Sequence, residues 1–548
     1  MCARLRIALG DLRHSTVGRH TVSMPIGIGY ISAYALSRLG QERLDIRLYD
    51  DPDLLLSELG SWRPHLVGLS HYCWNSELSA LIFAQAKALD PTVVCLGGGP
   101  HYPEDEDERL NWFLARPQVD FFATREGETA LVELVERMLT RWDTGENRRA
   151  GIPGHDCLHP ELGKVVHGET LAKIPDLDAI PSPYLTGLMD PFFDGEHEPT
   201  FETARGCPHT CGYCWASNDW YGRVAFFSVD RIKSELDYMV DRMKGHEDVP
   251  LSICDSNFGS YPHDEEIAEH IATLMHERNW PKAFDVNTGK TDYDRILRIS
   301  DRLDGRMSVS TSLQSKNQKT LRIIRRKNLS ENDFRRISAA TRAHGGVTNT
   351  EFILPMPAET KASFMDGLRY AIDAGTDNIQ PYTTMMLPQT PLVSKAFRQL
   401  YSLQTRFRVI PHSFGEYEGQ RCVEYEEVCV ATSTLSFQEY LECRGMGLML
   451  KLLSGPSFDV VRRLCAEWGV DYLDVLEASQ KAITCSSTPI AKHYEDFIRE
   501  TEGNFFLARS ISESFSVNRT TTHVLSLATW ATIFFANTLS ECYLTFQR

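Results

Sequence analysis

The sequence predicts an α/β protein in three parts: a doubly wound N-terminal domain, a partial α/β barrel and a mainly helical C-terminal region. Three observations predict it. Short β-rich apolar runs alternate with amphipathic stretches from Leu5 to about Trp142; the alternation resumes with six repeats from Thr200 to about Leu392; beyond about Lys395 it gives way to helical periodicity. A chain of 548 residues also exceeds one ordinary core, since domains of roughly 100 to 200 residues are the norm. The expected boundaries are 1–145 for the first domain, 146–199 for a linker, 200–395 for the barrel and 396–548 for the C-terminal region.

In the first part the strands are Leu5 to Leu9, Leu44 to Tyr49, Leu66 to Ser70, Val93 to Leu96 and Phe121 to Thr124, with helices that include Ile28 to Leu39 and Glu77 to Leu89. A doubly wound sheet binds its ligand at the carboxyl ends of its strands. There the chain places Ser70, the run Gly97-Gly98-Gly99-Pro100-His101 and the turn Arg125-Glu126-Gly127-Glu128. Glycine lets a bulky ligand approach the backbone. A tight turn without a ligand is the alternative reading of such a run.

Residues 146–199 are rich in Gly, Pro, Asp and His with little periodicity, as in a linker. His155, Cys157 and His159 (HDCLH) alternate as metal ligands on a strand would, but no fourth ligand follows at zinc-like spacing.

The barrel strands are expected near Phe201 to Ala204, Leu251 to Cys254, Phe284 to Asn287, Met307 to Ser312, Thr350 to Leu354 and Asn378 to Met385. Between the first two, Val229 to Met243 gathers Val229, Ile232, Leu236, Met239, Val240 and Met243 on one face, with Asp230, Lys233, Glu235 and Asp237 elsewhere, as a helix outside a barrel does. The C-terminal region offers amphipathic helices at Phe437 to Leu453, Val460 to Trp468 and Tyr472 to Lys481. Val524 to Leu539 is apolar but carries Ser526, Thr529, Thr532, Asn537 and Thr538, so it reads as a buried or docking helix and not a membrane span.

Composition narrows the function. With 42% hydrophobic and 24% charged residues the chain is globular, and 74 acidic against 57 basic residues leave a net charge of −17 that repels nucleic acid. The basic stretch Arg322 to Lys327 (RIIRRK) reads as a solvated helix face. The N-terminus lacks the uninterrupted apolar run of a signal peptide, so a cytoplasmic location is expected, where clustered cysteines mean metal or catalysis.

Of 14 cysteines only Cys207, Cys211 and Cys214 are clustered, in GCPHTCGYC directly after the first barrel strand. Barrel active sites collect at that end. Thiolates hold iron–sulfur clusters, usually four per cluster, so three leave one iron open to a ligand. Zinc is the alternative, but structural zinc sites favour a second downstream C-x2-C pair, which is absent. The other cysteines, among them Cys422, Cys429, Cys443, Cys465, Cys485 and Cys542, read as small buried hydrophobes.

The C-x3-C-x2-C spacing with Tyr213 resembles the cluster-binding signature of radical S-adenosylmethionine (radical SAM) enzymes. CDSNF with Asp255 and Asn257, Asn287 to Lys290, STSLQ with Ser310 and Gln314, FILPMPAE and PQTPL follow in the order that family shows around the cofactor. Pro355-Met356-Pro357 stands where the family usually has a more flexible glycine-rich stretch. MPIGIGYISAYAL, LVGLS, LGGGPHYP and ATREGETAL across residues 1–145 resemble the Rossmann-like cobalamin-binding domain that precedes the TIM-like (β/α)6 barrel in one large class of that superfamily.

The resemblance implies a [4Fe-4S] cluster on Cys207, Cys211 and Cys214 as both catalytic and metal-binding residues. It implies S-adenosyl-L-methionine contacts from Tyr213, Asp255, Asn257, Asn287, Ser310 and Gln314, and cobalamin near Ser70, Gly97, Gly98, Gly99 and Glu126. No Asp-x-His-x-x-Gly motif is present; the nearest string, Asp11 to Gly18 (DLRHSTVG), has other spacing, so cobalamin would lack a protein histidine ligand. The implied activity is methylation of an unactivated carbon or phosphorus centre in a small-molecule or peptide intermediate, with an electron donor such as flavodoxin or ferredoxin. Cyclisation, rearrangement or oxidation is the alternative on the same scaffold, and a corrinoid-binding protein without turnover is a third.

Overall fold

A computed structural model of the chain describes residues 4–15, 22–140, 142–343, 347–453 and 459–505. Gly18, the segment Val524 to Leu539, Cys2 and Cys542 lie outside the described residues.

The first domain is built on β1 (Leu5–Gly10), β2 (Leu44–Tyr49), β3 (Leu66–Ser70), β4 (Val94–Gly98) and β5 (Phe121–Ala123), parallel in the order 2-1-3-4-5. Its helices are α1 (Ile26–Leu39), α2 (Pro52–Trp62), α3 (Ser76–Leu89), α4 (Glu106–Ala115), α5 (Gly127–Thr140) and α6 (Thr144–Ala150). Alternate strand residues feed two cores: Ala8, Val67, Cys95 and Phe122 pack toward α2, α3 and α4, while Ile7, Leu66, Val94 and Phe121 pack toward α1 and α5. That double burial is why the strands read as continuous apolar runs.

The stretch expected to be a linker adds β6 (His155–Leu158) and β7 (Val165–His167) as antiparallel strands, giving a seven-stranded sheet. HDCLH is therefore a sheet strand. Cys157 is a core residue whose thiol meets the Arg148 carbonyl, His155 packs edge-on against Phe121, and His159 accepts from backbone amides of the next turn. Buried Asp156 holds the edge, accepting from Tyr102 at 2.9 Å with His167 at 2.8 Å.

The barrel begins with β8 (Thr200–Phe201), β9 (Ala204–Arg205) and β10 (Ala225–Phe226), followed by α7 (Val229–Arg242), β11 (Leu251–Phe258), α8 (Pro262–Arg278), β12 (Phe284–Thr288) and α9 (Tyr293–Arg302). It continues through β13 (Val309–Ser310), α10 (Gln318–Ile323), α11 (Glu331–Ala343), β14 (Thr348–Leu354), α12 (Lys361–Asp373), β15 (Asn378–Thr383) and α13 (Lys395–Tyr401). Two parallel three-stranded sheets, β8-β11-β12 and β13-β14-β15, form an open arc; across the seam the Ser310 amide donates to Thr288 Oγ1 at 3.0 Å. Helix α7 buries Ile232, Leu236, Met239 and Val240 as its period demands. Glu235, expected on the polar side, is fully buried because Arg231 follows it inward, with Nε 3.0 Å from the carboxylate.

The C-terminal region opens with a long antiparallel hairpin, β16 (Gln404–Tyr417) and β17 (Gln420–Ala431), turned at Glu418-Gly419 with both φ positive. Only then come α14 (Phe437–Leu453), α15 (Asp459–Trp468), α16 (Tyr472–Thr484) and α17 (Pro489–Gly503).

The hairpin reaches back to the first domain. Glu424 of β17 accepts from the Glu77 and Leu78 amides at the start of α3, at 2.9 and 2.8 Å, and faces His14 Nε2 at 3.3 Å. The other ring nitrogen of His14 meets Tyr417 Oη at 2.9 Å. His14, Cys422 and Glu424 form the one set of three ligand-type side chains among the described residues whose donor atoms lie within 4.8 Å of one another. Its hydrogen bonds account for it as a clamp: the carboxylate caps the positive end of a helix and the imidazole joins two strands.

Removing that carboxylate strands buried donors at about 1–3 kcal/mol each. Glu424→Ala should therefore cost about 2–4 kcal/mol and lower the thermal midpoint by several degrees in calorimetry, while Glu416→Ala on the exposed part of the hairpin should leave it unchanged.

Candidate active site

The cysteine loop leaves β9 at Gly206, whose φ of +116° and close approach to the Tyr221 carbonyl, 2.7 Å from where a Cβ would sit, only glycine tolerates. Cys207 and Cys211 are buried and Cys214 is half-buried. The loop is laced by its own backbone: Cys207 N donates to Tyr221 O at 2.9 Å, Cys214 N to Cys211 O at 3.0 Å, and Ser217 Oγ donates to the carbonyls of Cys211 and Cys214.

The three sulfurs do not gather within 4.8 Å of one another. Ligands of one zinc ion sit about 3.8 Å apart, given Zn–S bonds of about 2.3 Å in a tetrahedron. The wider triad suits separate irons of a multi-iron cluster, and Asn257 Nδ2 already donates to Cys207 Sγ at 3.2 Å, the kind of contact that tunes a cluster sulfur. Burial raises the Cys214 thiol while the nearby Lys290 ammonium pulls it down. No side-chain partner for Lys290 occurs among the described residues, so it is a free cation beside the cysteines.

Tyr213 is held by Arg326, whose NH1 donates to its hydroxyl at 2.9 Å and whose NH2 donates to the Ser312 carbonyl. Along the inner arc Ser310 Oγ meets Ser312 Oγ at 2.9 Å, Ser312 donates to Glu351 Oε2 at 2.9 Å, and Gln314 donates to the same oxygen at 3.4 Å. Gln314 Oε1 and Asn257 Oδ1 are buried acceptors without partners among the described residues, as groups meeting a ligand would be. Asn287 stands on the open inner face of β12.

Asp255 has another placement. Its carboxylate accepts from the Thr203 amide, the Thr203 hydroxyl and the Ala204 amide, and burial lifts it to about 7. It is a strut that fixes β8 and β9 below the cysteines.

Over this mouth lie the strand ends of the first domain. Ser70 Oγ donates to Asp11 at 2.5 Å and accepts from Asn75 at 2.9 Å. Gly97 lies against the Phe122 ring, Gly99 lets the chain pass beside the His71 backbone, and Gly98 has its Cβ direction open apart from ordinary contact with Ala123. Glu126 accepts from the Ile174 amide at 3.0 Å, leaving Oε1 buried and unpartnered. Tyr72 and Trp74 stack at 4.3 Å and 9° in the loop after β3.

This face suits a large, flat, partly apolar ligand, and two histidines beside it are already engaged. His14 is spent on Tyr417 and Glu424, and His71 accepts from Trp112 at 3.2 Å, its pKa driven well down by burial.

Arg205, one residue before Gly206, joins the two domains. Its guanidinium pairs with Glu128 of α5 at 2.9 Å and Glu202 at 3.1 Å, under the ring of Tyr30. Arg205 was not singled out by motif reading, Lys290 only closed the Asn287 to Lys290 segment, and Arg326, expected on a solvated helix face, is instead buried against Tyr213; nothing in a sequence string tells a paired buried cation from a surface one.

Residues 201–387 match the family described as Radical SAM superfamily. The chain is 30% identical over 408 residues to a 2-(S-pantetheinyl)-carbapenam-3-carboxylate methyltransferase of Streptantibioticus cattleyicolor, covering 72% of this chain and 57% of that one. It is 31% identical over 399 residues to the cobalamin-dependent radical SAM methyltransferase TokK of Streptomyces tokunonensis, covering 70% and 56%. The chain thus spans a little over half the length of these curated relatives. In fold it is similar to the radical S-adenosylmethionine methyltransferase TsrM of Kitasatospora setae, with a TM-score of 0.59 and 14% identity over 80% of this chain and 88% of that one. Together with the cysteine loop and the strand ends above it, these likenesses show that the chain belongs to the radical SAM superfamily, among its members with a cobalamin-binding-type domain ahead of the barrel.

Proposed function

We propose that the chain is a cobalamin-dependent radical SAM methyltransferase that methylates an unactivated carbon of a small biosynthetic intermediate. The observation that carries this reading is the apposition of two ligand-binding ends, the open carboxyl edge of the first sheet facing the cysteine loop. When bound, the cluster and S-adenosylmethionine supply radical chemistry and the corrinoid supplies methyl carriage.

The chain's own residues then have distinct tasks. Cys207, Cys211 and Cys214 would hold the cluster, and with only three thiolates one iron would stay open to the amino acid end of S-adenosylmethionine. Asn257 steadies Cys207, Lys290 offers a cation to the cofactor's carboxylate, and Tyr213, fixed by Arg326, borders the adenine. Ser310, Ser312, Glu351 and Gln314 form a polar rail along the inner arc for ribose hydroxyls. Gly98 and the Tyr72–Trp74 stack seat the corrinoid, with Ser70 and Glu126 at its rim. The first domain and the β16–β17 hairpin close the mouth against water, which protects a reactive intermediate.

With full-length protein reconstituted without oxygen, reductive cleavage of S-adenosylmethionine to 5′-deoxyadenosine should fall to background in Cys207→Ala. In Arg326→Met, KM for S-adenosylmethionine should rise about tenfold, the loss expected when a charged hydrogen bond that positions a binding group is removed. With the substrate in hand, methyl-deuterated S-adenosylmethionine should pass its label to product. Turnover with no label in product would move the reading to rearrangement or oxidation. Trp74→Ala should retain less corrinoid after desalting, read from the absorption bands, with the iron content unchanged.

A further inference from the structure

One face of α14 runs along β15: Tyr440 Oη meets Thr383 Oγ1 at 2.8 Å, Arg444 NH1 reaches the Pro381 carbonyl at 3.4 Å, and Gly447 lies against the Pro381 ring. These residues are four and then three apart, the spacing that shares a helix face. Strand β15 is the last of its sheet, so this face borders the open edge of the barrel, next to the exposed inward residue Tyr382.

Arg444 is unusual there. That single long hydrogen bond is its only polar contact among the described residues, although a guanidinium carries five N–H donors. Its Nε is buried without a partner, and among the described residues no carboxylate pairs with it. Burial lowers the Arg444 pKa, Tyr440 opposes that shift, and a second cation, Arg408, adds to it.

Arg408 is itself satisfied by Glu426, directly across the hairpin, at 2.7 Å from Nε and 2.6 Å from NH2. Arg406, two residues along the same face, donates only to the Thr405 carbonyl. Glu426 in turn raises the thiol pKa of Cys73, beside Trp74 in the loop after β3. The basic group thus lies where hairpin, barrel edge and first domain meet. In a chain with a net charge of −17, Arg444 and Arg408 answered by one carboxylate, Glu426, among the described residues constitute a local excess of positive charge. A buried charge without a counterion is costly, and fork-shaped guanidinium donors match an oxyanion.

We propose that Arg444, with Arg408 beside it, seats an oxyanion, a carboxylate or phosphate, carried by the substrate. This rests on the methyltransferase reading for the identity of the bound molecule, but the anion seat can be tested without turnover.

The test is a 19F NMR titration of cluster-loaded full-length protein at low ionic strength, with fluoroacetate as the carboxylate probe and monofluorophosphate as the phosphate probe. Wild-type protein should bind at least one of them saturably, and the tighter probe names the class. Arg444→Met should weaken it by about tenfold or more, and Arg444→Lys by less. Glu426→Gln, which frees Arg408, should tighten binding severalfold, a gain that misfolding cannot produce. Equal affinity in wild type and Arg444→Met, or no change in Glu426→Gln, would overturn the proposal. Substrate-free S-adenosylmethionine cleavage should persist in Arg444→Met; its absence from wild-type protein would instead count against the methyltransferase reading while leaving the anion result to stand alone.

Discussion

Much of this molecule depends on Arg205. Its buried guanidinium takes one carboxylate from the first domain, Glu128, and one from the barrel, Glu202, and the next two residues are Gly206 and Cys207. Breaking a buried pair by removing one partner is far more costly than the pair is stabilising. The cysteine loop is therefore tied to the sheet above it through charges that cannot be left alone. Tyr30, stacked on Phe227 at 5.4 Å and covering both Arg205 and Arg231, extends the same junction to α7.

Two α/β units each present their strand ends, and such ends are where these folds bind ligands. A second tie on the far side, the Glu424–His14–Tyr417 clamp, keeps the hairpin against α3. Beside the first tie stand the cysteine loop and the polar rail ending at Gln314, and the Tyr72–Trp74 stack belongs to the loop after β3. Catalysis by a reactive intermediate asks for exclusion of water and for polar groups fixed before the ligand arrives.

Most of this was legible in the residues. The five parallel strands and the six barrel strands could be placed because burial on both faces makes them apolar runs, and the cysteine spacing pointed to a cluster because three thiolates without a fourth leave an iron open. Beyond about 395 the three expected helices are present as α14, α15 and α16, and the β16–β17 hairpin ahead of them was missed for a physical reason. Strand β16 carries Arg406, Arg408, His412 and Glu416 among its apolar residues, and a register shift between Val409 and Phe414 breaks its period-2 pattern. Strands β6 and β7 escaped notice because Asp156 and His167, polar on paper, satisfy one another at the sheet edge. Asp255, expected at the cofactor, has its carboxylate engaged by Thr203 and Ala204, a detail that only hydrogen-bond geometry reveals.

We propose that one chain holds an iron–sulfur cluster and a corrinoid at facing strand ends. The most direct test is elemental analysis of the protein reconstituted without oxygen with iron, sulfide and hydroxocobalamin, then desalted. About four iron atoms and about one cobalt per chain is the predicted result. Four iron atoms with no cobalt would contradict it, leaving the first domain as a cap without a cofactor.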